Sequence, residues 1–194
     1  MKSVYVRSSP RVEDLGPAEL PEVAFVGKSN VGKSSLLNRL AGAKIARTSK
    51  TPGRTQLINL FHVTRDGVQF GLVDLPGYGF AAAPKGVRAE WMDMIEGYLV
   101  GRTTLRAVCV LVDARRGVEA EDAEIYGWLS ALGKYHVLAV VTKIDKLPKA
   151  KQKPALYAVA ESYGLSRAAV LGTSASSGQG MDALVEAVLG VASA

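Results

Sequence analysis

The feature that most constrains this chain is a phosphate-loop pattern near its N-terminus, Gly27-Lys28-Ser29-Asn30-Val31-Gly32-Lys33-Ser34. It directly follows the apolar run Val23-Ala24-Phe25-Val26, which has the composition of a buried strand. Glycine at both ends lets the backbone curl so that successive N–H groups converge on a polyphosphate, and the following helix adds its positive end. In this pattern Lys33 reaches the β- and γ-phosphates and Ser34 offers its hydroxyl to Mg²⁺. The sequence therefore predicts a strand, a loop and a helix that together bind a nucleotide.

Composition narrows the class of protein. The 194 residues fit one domain that can bury a sizeable core. The net charge of +6 and the pI near 9.5 leave two interpretations open, an anionic macromolecular partner such as RNA or a merely solvated basic surface. The single cysteine, Cys109, excludes an intrachain disulfide. Because the N-terminus lacks a leader pattern and no apolar run has the length of a membrane span, we expect a cytoplasmic monomer without a membrane partner.

Apolar strand-like runs alternate with amphipathic helical stretches, which predicts an α/β fold of the P-loop NTPase type, a three-layer sandwich with helices on both faces of the sheet. The sheet should have six strands and be mixed but mainly parallel, because an Asp-Gly turn at residues 66–67 joins two strands as an antiparallel hairpin. Residues 1–20 are either a loose extension or an edge strand around Val4-Tyr5-Val6, and residues 21–194 form the nucleotide-binding domain. The predicted strands are 22–26, 56–63, 68–74, 107–113, 135–141 and 169–172, and the predicted helices are 33–40, 85–100, 121–132, 149–163 and 181–189.

A second candidate site motif is Asp74-Leu75-Pro76-Gly77, which follows an apolar strand. Ligands of open α/β sheets bind at the carboxyl ends of the strands, so Asp74 is placed to hold the Mg²⁺ shell through water. The backbone N–H of Gly77 can approach the γ-phosphate because glycine has no side chain. Alone, the tetrapeptide would indicate a helix-capping aspartate and a Pro-Gly turn, but the phosphate loop favours the nucleotide interpretation.

The base is read by a third motif, Thr142-Lys143-Ile144-Asp145, again at a strand end. A carboxylate accepts hydrogen bonds from both N1–H and the 2-amino group of guanine, and adenine offers no such pair of donors. Asp145 is thus the predicted guanine reader, and the aliphatic stem of Lys143 would lie over the ring. Thr173-Ser174-Ala175, after the last predicted strand, could present a backbone N–H to guanine O6.

Two irregular stretches accompany these motifs: residues 43–54 contain threonine, serine, proline and glycine, and residues 76–86 are rich in glycine and proline. They are either ordinary surface loops or the movable switches of a nucleotide sensor, and their positions beside the motifs favour switches.

The motifs resemble those of the EngB-type GTPases, within the translation-factor-related class of P-loop GTPases. The resemblance covers about residues 21–190 and is most specific in Thr51-Pro52-Gly53-Arg54-Thr55-Gln56 and Asp74-Leu75-Pro76-Gly77-Tyr78-Gly79. Thr142 stands where most GTPases carry Asn, and threonine is usual in this family. The resemblance implies a bacterial GTPase that uses Mg²⁺, assists maturation of the large ribosomal subunit and is linked to cell division and septation.

Among Thr48, Thr51 and Thr55, the resemblance selects Thr55 as the second protein ligand of Mg²⁺, beside Ser34. It directly precedes a predicted strand, which would hold its hydroxyl near the metal. The candidate GTP-binding residues are then Gly27, Lys28, Ser29, Asn30, Val31, Gly32, Lys33, Ser34, Ser35, Arg54, Thr55, Asp74, Leu75, Pro76, Gly77, Thr142, Lys143, Ile144, Asp145, Thr173, Ser174 and Ala175.

The candidate catalytic residues are Lys33, Asn30 and Thr55. Ras-like enzymes carry a water-orienting glutamine directly after Asp-x-x-Gly, where this chain has Tyr78. Either a partner completes the site or a bound cation supplies the missing charge. In related potassium-activated GTPases an asparagine at the position of Asn30 helps to bind K⁺, which makes K⁺ a candidate second cofactor. The other interpretation is that Asn30 only braces the loop.

Basic residues cluster in the first predicted switch and again at residues 143–153, where they indicate a solvated face or an RNA contact. Two alternatives to a GTPase switch stay open from the residues alone. One is a P-loop kinase of a small metabolite, and the other is a GTP-binding module with negligible turnover.

Overall fold

The structure, a computed structural model, describes residues 2–46, 57–79 and 85–194 of the chain. Within these residues seven strands and five helices alternate in the manner predicted for an α/β fold. The strands are β1 (Lys2–Ser9), β2 (Glu22–Gly27), β3 (Ile58–Arg65), β4 (Val68–Asp74), β5 (Leu105–Asp113), β6 (His136–Thr142) and β7 (Val170–Gly172). The helices are α1 (Lys33–Ala41), α2 (Lys85–Gly101), α3 (Ala120–Leu132), α4 (Lys149–Ser162) and α5 (Met181–Ser193).

The sheet has the strand order β1-β3-β4-β2-β5-β6-β7, with β4, β2, β5, β6 and β7 parallel to one another. Strand β3 is antiparallel to β4, as the Asp-Gly turn predicted. Asp66 and Gly67 both have positive φ, 50° and 82°, which is the backbone geometry of a tight hairpin turn. The mixed, mainly parallel sheet is therefore confirmed.

The prediction of six strands was wrong, because residues 2–9 add β1 to the edge of the sheet, antiparallel to β3. The sequence of β1 hides it, since Val4, Tyr5 and Val6 are all exposed and no apolar alternation marks a buried face. A register shift between Tyr5 and Arg7 makes Val6 an unpaired bulge residue, which breaks the alternation further. Of the two interpretations of this segment, the structure shows the edge strand.

Helices cover both faces of the sheet. Alternate residues of each strand contribute to two separate hydrophobic cores, one on each face. Ala24 and Val26 of β2 pack in the core under α2, α3 and α4, whereas Val23 and Phe25 pack under α1 and α5. All residues of β2 are buried, which fixes the strand at the centre of the sheet. The phosphate loop therefore follows the central strand of the sheet.

A buried ion pair ties the N-terminal segment to this sheet. The Glu22 carboxylate accepts hydrogen bonds from Arg102 (Nε, 2.7 Å) and from the Tyr98 hydroxyl (2.7 Å). The same guanidinium donates to the carbonyl of Gly16 (2.7 Å). Because the Glu22 carboxylate and the Arg102 guanidinium are both buried, removing one of them would leave the other charge without compensation inside the protein.

Candidate functional site

The start of α1 is built to receive an anion. Gly32 occupies the N-cap position, so no side chain caps the helix, and its first turn holds no acidic residue. Helix α3 shows the contrast, because a capping box of Glu119 and Asp122 satisfies its N-terminus. The first backbone N–H groups of any helix lack acceptors within the helix. At α1 they are left for a ligand such as a phosphate.

The loop between β2 and α1 curls because two residues take positive φ, Asn30 at 64° and Gly32 at 107°. Two of its amides are used within the protein, Ser29 toward the Tyr78 carbonyl (3.0 Å) and Val31 toward the Lys28 carbonyl (3.0 Å). The amides of Asn30 and Gly32 have no acceptor among the described residues. They extend the row of donors that begins at α1.

Lys33 and Asp74 form an ion pair at the bottom of this loop. The two side chains are only 10% and 6% exposed, so each charge depends on the other for compensation. The ion pair brings together the two side chains that the sequence predicts to contact the phosphates and the metal shell.

The Asp-Leu-Pro-Gly motif packs directly against the phosphate loop. The amide of Leu75 donates to the Phe25 carbonyl (3.1 Å), and Pro76 has no N–H, so Gly77 supplies the motif's next amide. A Cβ atom added to Gly77 would lie 3.0 Å from the Gly27 carbonyl oxygen and 3.5 Å from the Ser29 nitrogen. The approach therefore leaves little room for a side chain at this position.

Tyr78, at the position of the water-orienting glutamine, points away from the phosphate loop. Its ring is 3% exposed and contacts Trp91 edge-on at a centroid distance of 6.0 Å. Its hydroxyl donates to Asp122 in α3 (2.7 Å). Burial, reinforced by this carboxylate, raises the pKa of the Tyr78 phenol well above its ordinary value, so the phenol keeps its proton. The Tyr78 side chain is therefore used in packing against α2 and α3.

Lys28 connects the phosphate loop to the same helix. Its ammonium group lies 2.5 Å from Glu119 and 3.5 Å from Glu121. The hydrogen bond to Glu119 raises the pKa of Lys28 and lowers that of Glu119. Gly79 lies against the stem of this lysine, where an added Cβ would approach the side chain to 2.5 Å. The phosphate-loop pattern identified Lys28 as a candidate site residue. Its acidic partners lie some 90 residues later in the chain, so no local sequence pattern predicts these contacts.

At the other end of the site, the Lys143 side chain contacts both the phosphate loop and the end of β5. It has positive φ (56°), and its ammonium donates to the Asn30 carbonyl (2.5 Å) and to Asp113 (2.9 Å). Its stem lies over Gly32, with Cε 3.3 Å from an added Cβ. The lysine stem that is predicted to lie over the guanine ring is thus beside the phosphate loop.

Asp113 is a site residue that the sequence argument missed. Burial disfavours its charge, but hydrogen bonds from Arg115 and Lys143 outweigh burial and hold the pKa of Asp113 below its ordinary value. It is an acidic residue at the carboxyl end of β5, the same signal that identified Asp74 after β4. Its neighbour across the sheet, Thr142, donates its hydroxyl to the Val31 carbonyl (2.6 Å) and so fixes the loop to β6.

Asp145 contacts the loop that contains Ala175, because the Ser176 hydroxyl donates to its carboxylate (3.3 Å). The hydroxyl of Ser174 is the largest influence that lowers the pKa of Asp145, whose carboxylate also contacts Lys146 at 3.2 Å. It is therefore ionised and acts as an acceptor. The amide of Ser174 donates to the Gln179 carbonyl (2.9 Å), whereas that of Ala175 has no acceptor among the described residues. The Ala175 amide is thus the one of this motif left for a ligand.

Two predicted contacts, Arg54 and Thr55, lie outside the described residues, as do Thr48 and Thr51. The remaining metal ligands fit Mg²⁺, because Ser34 and Asp74 offer hard oxygen donors at the start of α1 and the end of β4. Among residues 2–46, 57–79 and 85–194, no group of three or more acidic, histidine or cysteine side chains is arranged so that it could hold a metal ion by itself. A Mg²⁺ ion here would take further ligands from nucleotide phosphates and water, as this ion usually does.

The comparisons with known proteins decide the family. Residues 22–143 match a protein family described as 50S ribosome-binding GTPase. The chain is 45% identical to the probable GTP-binding protein EngB of Desulforamulus reducens, over 94% of this chain and 88% of the relative. It is 46% identical to the protein of the same description from Syntrophus aciditrophicus, over 95% of this chain and 92% of that relative.

The chain belongs to the EngB family of GTP-binding proteins. As an EngB-family GTPase it binds guanine nucleotide and hydrolyses GTP, which confirms the resemblance that the motifs carried. A small-metabolite kinase and a binding module without turnover are therefore not supported. In the described part of the chain, no helix of this EngB-family protein is long and apolar enough to cross a membrane.

Solved structures place the EngB-family fold among P-loop GTPases. A crystal structure of Aquifex aeolicus Era bound to GDP and aluminium fluoride is 30% identical, with a TM-score of 0.73 over 88% of this chain and 56% of that chain. Era in complex with MgGDPNP and nucleotides 1506–1542 of 16S ribosomal RNA is 29% identical, with a TM-score of 0.74 over 90% of this chain and 57% of that chain. The chain thus spans little more than half of Era, but a probable GTP-binding protein engB is matched over 98% of its length, with a TM-score of 0.69 and 25% identity.

Proposed function

We propose that this GTPase is a Mg²⁺-dependent molecular switch whose GTP-bound form associates with the large ribosomal subunit during its assembly, and thereby supports normal cell division and septation. The observation that carries the proposal is the match of residues 22–143 to a family described as 50S ribosome-binding GTPase. The excess of six positive charges and the likeness to an RNA-bound Era lend support. The protein would act in the cytoplasm as a monomer.

Each part of the site has a role in this proposal. Lys33 and the amides of the loop and α1 hold the phosphates, and Ser34 and Thr55 ligate Mg²⁺ while Asp74 holds it through water. Gly77 senses the γ-phosphate, and Asp145 reads the base with Lys143 over the ring. Asp74 pairs with Lys33 at the end of β4, and Mg·GTP would offer both side chains new partners close to residue 76, where the second predicted switch begins.

Catalysis in this proposal depends on charge supplied from outside the described side chains. The buried Tyr78 leaves the position of the catalytic glutamine without a water-orienting group. K⁺ held at Asn30 would stabilise the charge that develops on the phosphates, as an arginine finger does in other GTPases. Turnover should accordingly be slow until K⁺ or the ribosomal partner is present.

The test is co-sedimentation with isolated large ribosomal subunits. The protein is loaded with a non-hydrolysable GTP analogue or with GDP, and binding is measured in K⁺ buffers of rising ionic strength. We expect affinity about tenfold higher in the GTP-analogue state, within the range of allosteric coupling, and weaker binding as salt rises. Isolated small subunits serve as the control. Equal affinity of the two nucleotide states, or equal binding to both subunits, would contradict the proposal.

A further inference from the structure

The start of α4 carries three exposed lysines, Lys149, Lys151 and Lys153, at the helix end where they are least favourable. The N-terminus of a helix is already positive, and Lys149 and Lys153 are like charges four residues apart. Among the described residues, none of the three forms an ion pair. The acidic residue of this helix, Glu161, lies at its other end, about 18 Å from Lys149 along the axis.

An exposed aromatic side chain continues the row of lysines. Tyr157 follows Lys153 by four residues, as Lys153 follows Lys149, so the three line one side of α4. Tyr157 is 38% exposed, and the guanidinium of Arg167 lies 4.5 Å from the centre of its ring. We call Lys149, Lys151, Lys153, Tyr157 and Arg167 the α4 basic face, in which Lys151 projects from a different side of the first helical turn than Lys149 and Lys153.

This face is fixed to the base end of the nucleotide site. The Gln152 side chain donates to the Leu147 carbonyl (3.1 Å) and accepts from the side chain of Gln179 (2.8 Å). The Gln179 carbonyl in turn accepts the amide of Ser174 (2.9 Å). These bonds join α4 to the predicted guanine loop, and the base is the part of the nucleotide that GTP and GDP share.

We propose that the α4 basic face is a docking surface for the sugar-phosphate backbone of RNA, and that it contributes equally to binding in the GTP and GDP states. The inference rests on the proposed function for the identity of the RNA, that of the large ribosomal subunit. Lysine ammonium groups match phosphates, and an exposed ring with a stacked guanidinium offers a surface for an unpaired base. An acidic protein surface would use the lysines but leave the Tyr157–Arg167 pair without a partner.

The test compares two triple variants with the same loss of charge. The first is Lys149→Gln, Lys151→Gln and Lys153→Gln. The control is Lys2→Gln, Arg106→Gln and Lys134→Gln, three exposed residues at the amino-terminal ends of β1, β5 and β6, the end of the sheet opposite the predicted site. The probes are a 20-base-pair RNA hairpin with a single-stranded tail and isolated large subunits, each titrated at several KCl concentrations. Lys146 stays unchanged because it contacts Asp145.

We expect the α4 triple to bind both probes about tenfold to hundredfold more weakly near 0.1 M salt, with a salt slope lower by about 2, because three phosphate contacts release fewer counterions when lost. The control should stay within about threefold of wild type. Tyr157→Ala should weaken binding to the single-stranded tail about fivefold with no change of slope, because stacking releases no counterions. The ratio of GTP-state to GDP-state affinity for large subunits should be the same in the α4 triple and wild type.

Equal losses in the two triples would reduce the effect to net charge and overturn the inference. So would an α4 triple that keeps wild-type affinity for the hairpin while losing large subunits, since that result would indicate a protein partner. If wild type binds the hairpin through α4 but never binds large subunits, the proposed ribosomal function fails and the RNA surface stands. If wild type binds large subunits and the α4 triple binds them equally well, the inference about the α4 basic face fails and the proposed ribosomal function stands.

Discussion

Replacing Asp145 with asparagine should transfer the base preference of this GTPase from guanine to xanthine. In the proposed site the ionised carboxylate accepts from N1–H and the 2-amino group of guanine, and such charge-assisted bonds are strong. Xanthine has a carbonyl in place of the amino group, so an asparagine amide can donate where aspartate would repel. We expect the affinity for GDP to fall at least about a hundredfold, and the affinity for xanthosine diphosphate to rise by a similar factor.

Equilibrium titration with the two diphosphates measures the exchange. The matched control is Asp66→Asn, the same change of charge in the exposed β3–β4 turn, where the positive φ of 50° suits asparagine equally well. This control should bind GDP as wild type does. An Asp145→Asn protein that keeps GDP affinity within twofold of wild type would show that another group reads the base.

GTP hydrolysis should be at least about tenfold faster in K⁺ than in Na⁺ at equal ionic strength, and Asn30→Gly should abolish the difference. Tyr78, at the position of the catalytic glutamine, is buried and donates to Asp122, so it is not placed to orient the attacking water. The Asn30 side chain is exposed at the turn of the phosphate loop, beside the row of unpaired amides. It can therefore add an oxygen ligand for a cation next to the phosphates.

Glycine is a sharper replacement for Asn30 than alanine. Asn30 has a φ of 64°, a conformation that glycine adopts without strain and alanine does not. Asn30→Gly therefore removes the candidate ligand and keeps the loop, which should leave GDP affinity near wild type. Asp66→Gly, at another residue of positive φ, is the matched control and should keep the response to K⁺. Equal rates of wild type in the two salts, or a full K⁺ response in Asn30→Gly, would leave Asn30 only a bracing role.

The sequence was most informative where local pattern and chemistry coincide. The Gly-rich loop, the Asp-Gly hairpin and the polar residues at strand ends each carry their structural meaning in a few adjacent positions, and the structure confirms the elements around them. Helix α1 begins at Lys33 as the loop pattern required. Strand β1 was uncertain because its exposed residues give no periodic signal for one buried face.

Contacts between distant parts of the chain could not be predicted in this way. Tyr78 and Asp122 are 44 residues apart, and nothing local to Tyr78 shows that its hydroxyl belongs to α3. Lys28 and Glu119 are 91 residues apart. Asp113 differs, since its position at the end of β5 is the same signal that identified Asp74, and the strand-end rule applied to every strand would have found it.

The central claim is that one guanine nucleotide spans the strand ends, with its phosphates at α1 and its base at Asp145. A crystal structure of the chain with Mg²⁺ and a non-hydrolysable GTP analogue tests it most directly. The account predicts the β- and γ-phosphates on the amides of the loop and α1, and Lys33 on a phosphate rather than on Asp74. It also predicts Ser34 and Thr55 on the metal, and the Asp145 carboxylate within hydrogen-bonding distance of N1 and the 2-amino group. A nucleotide bound with the Lys33–Asp74 pair intact, or with its base away from Asp145, would contradict it.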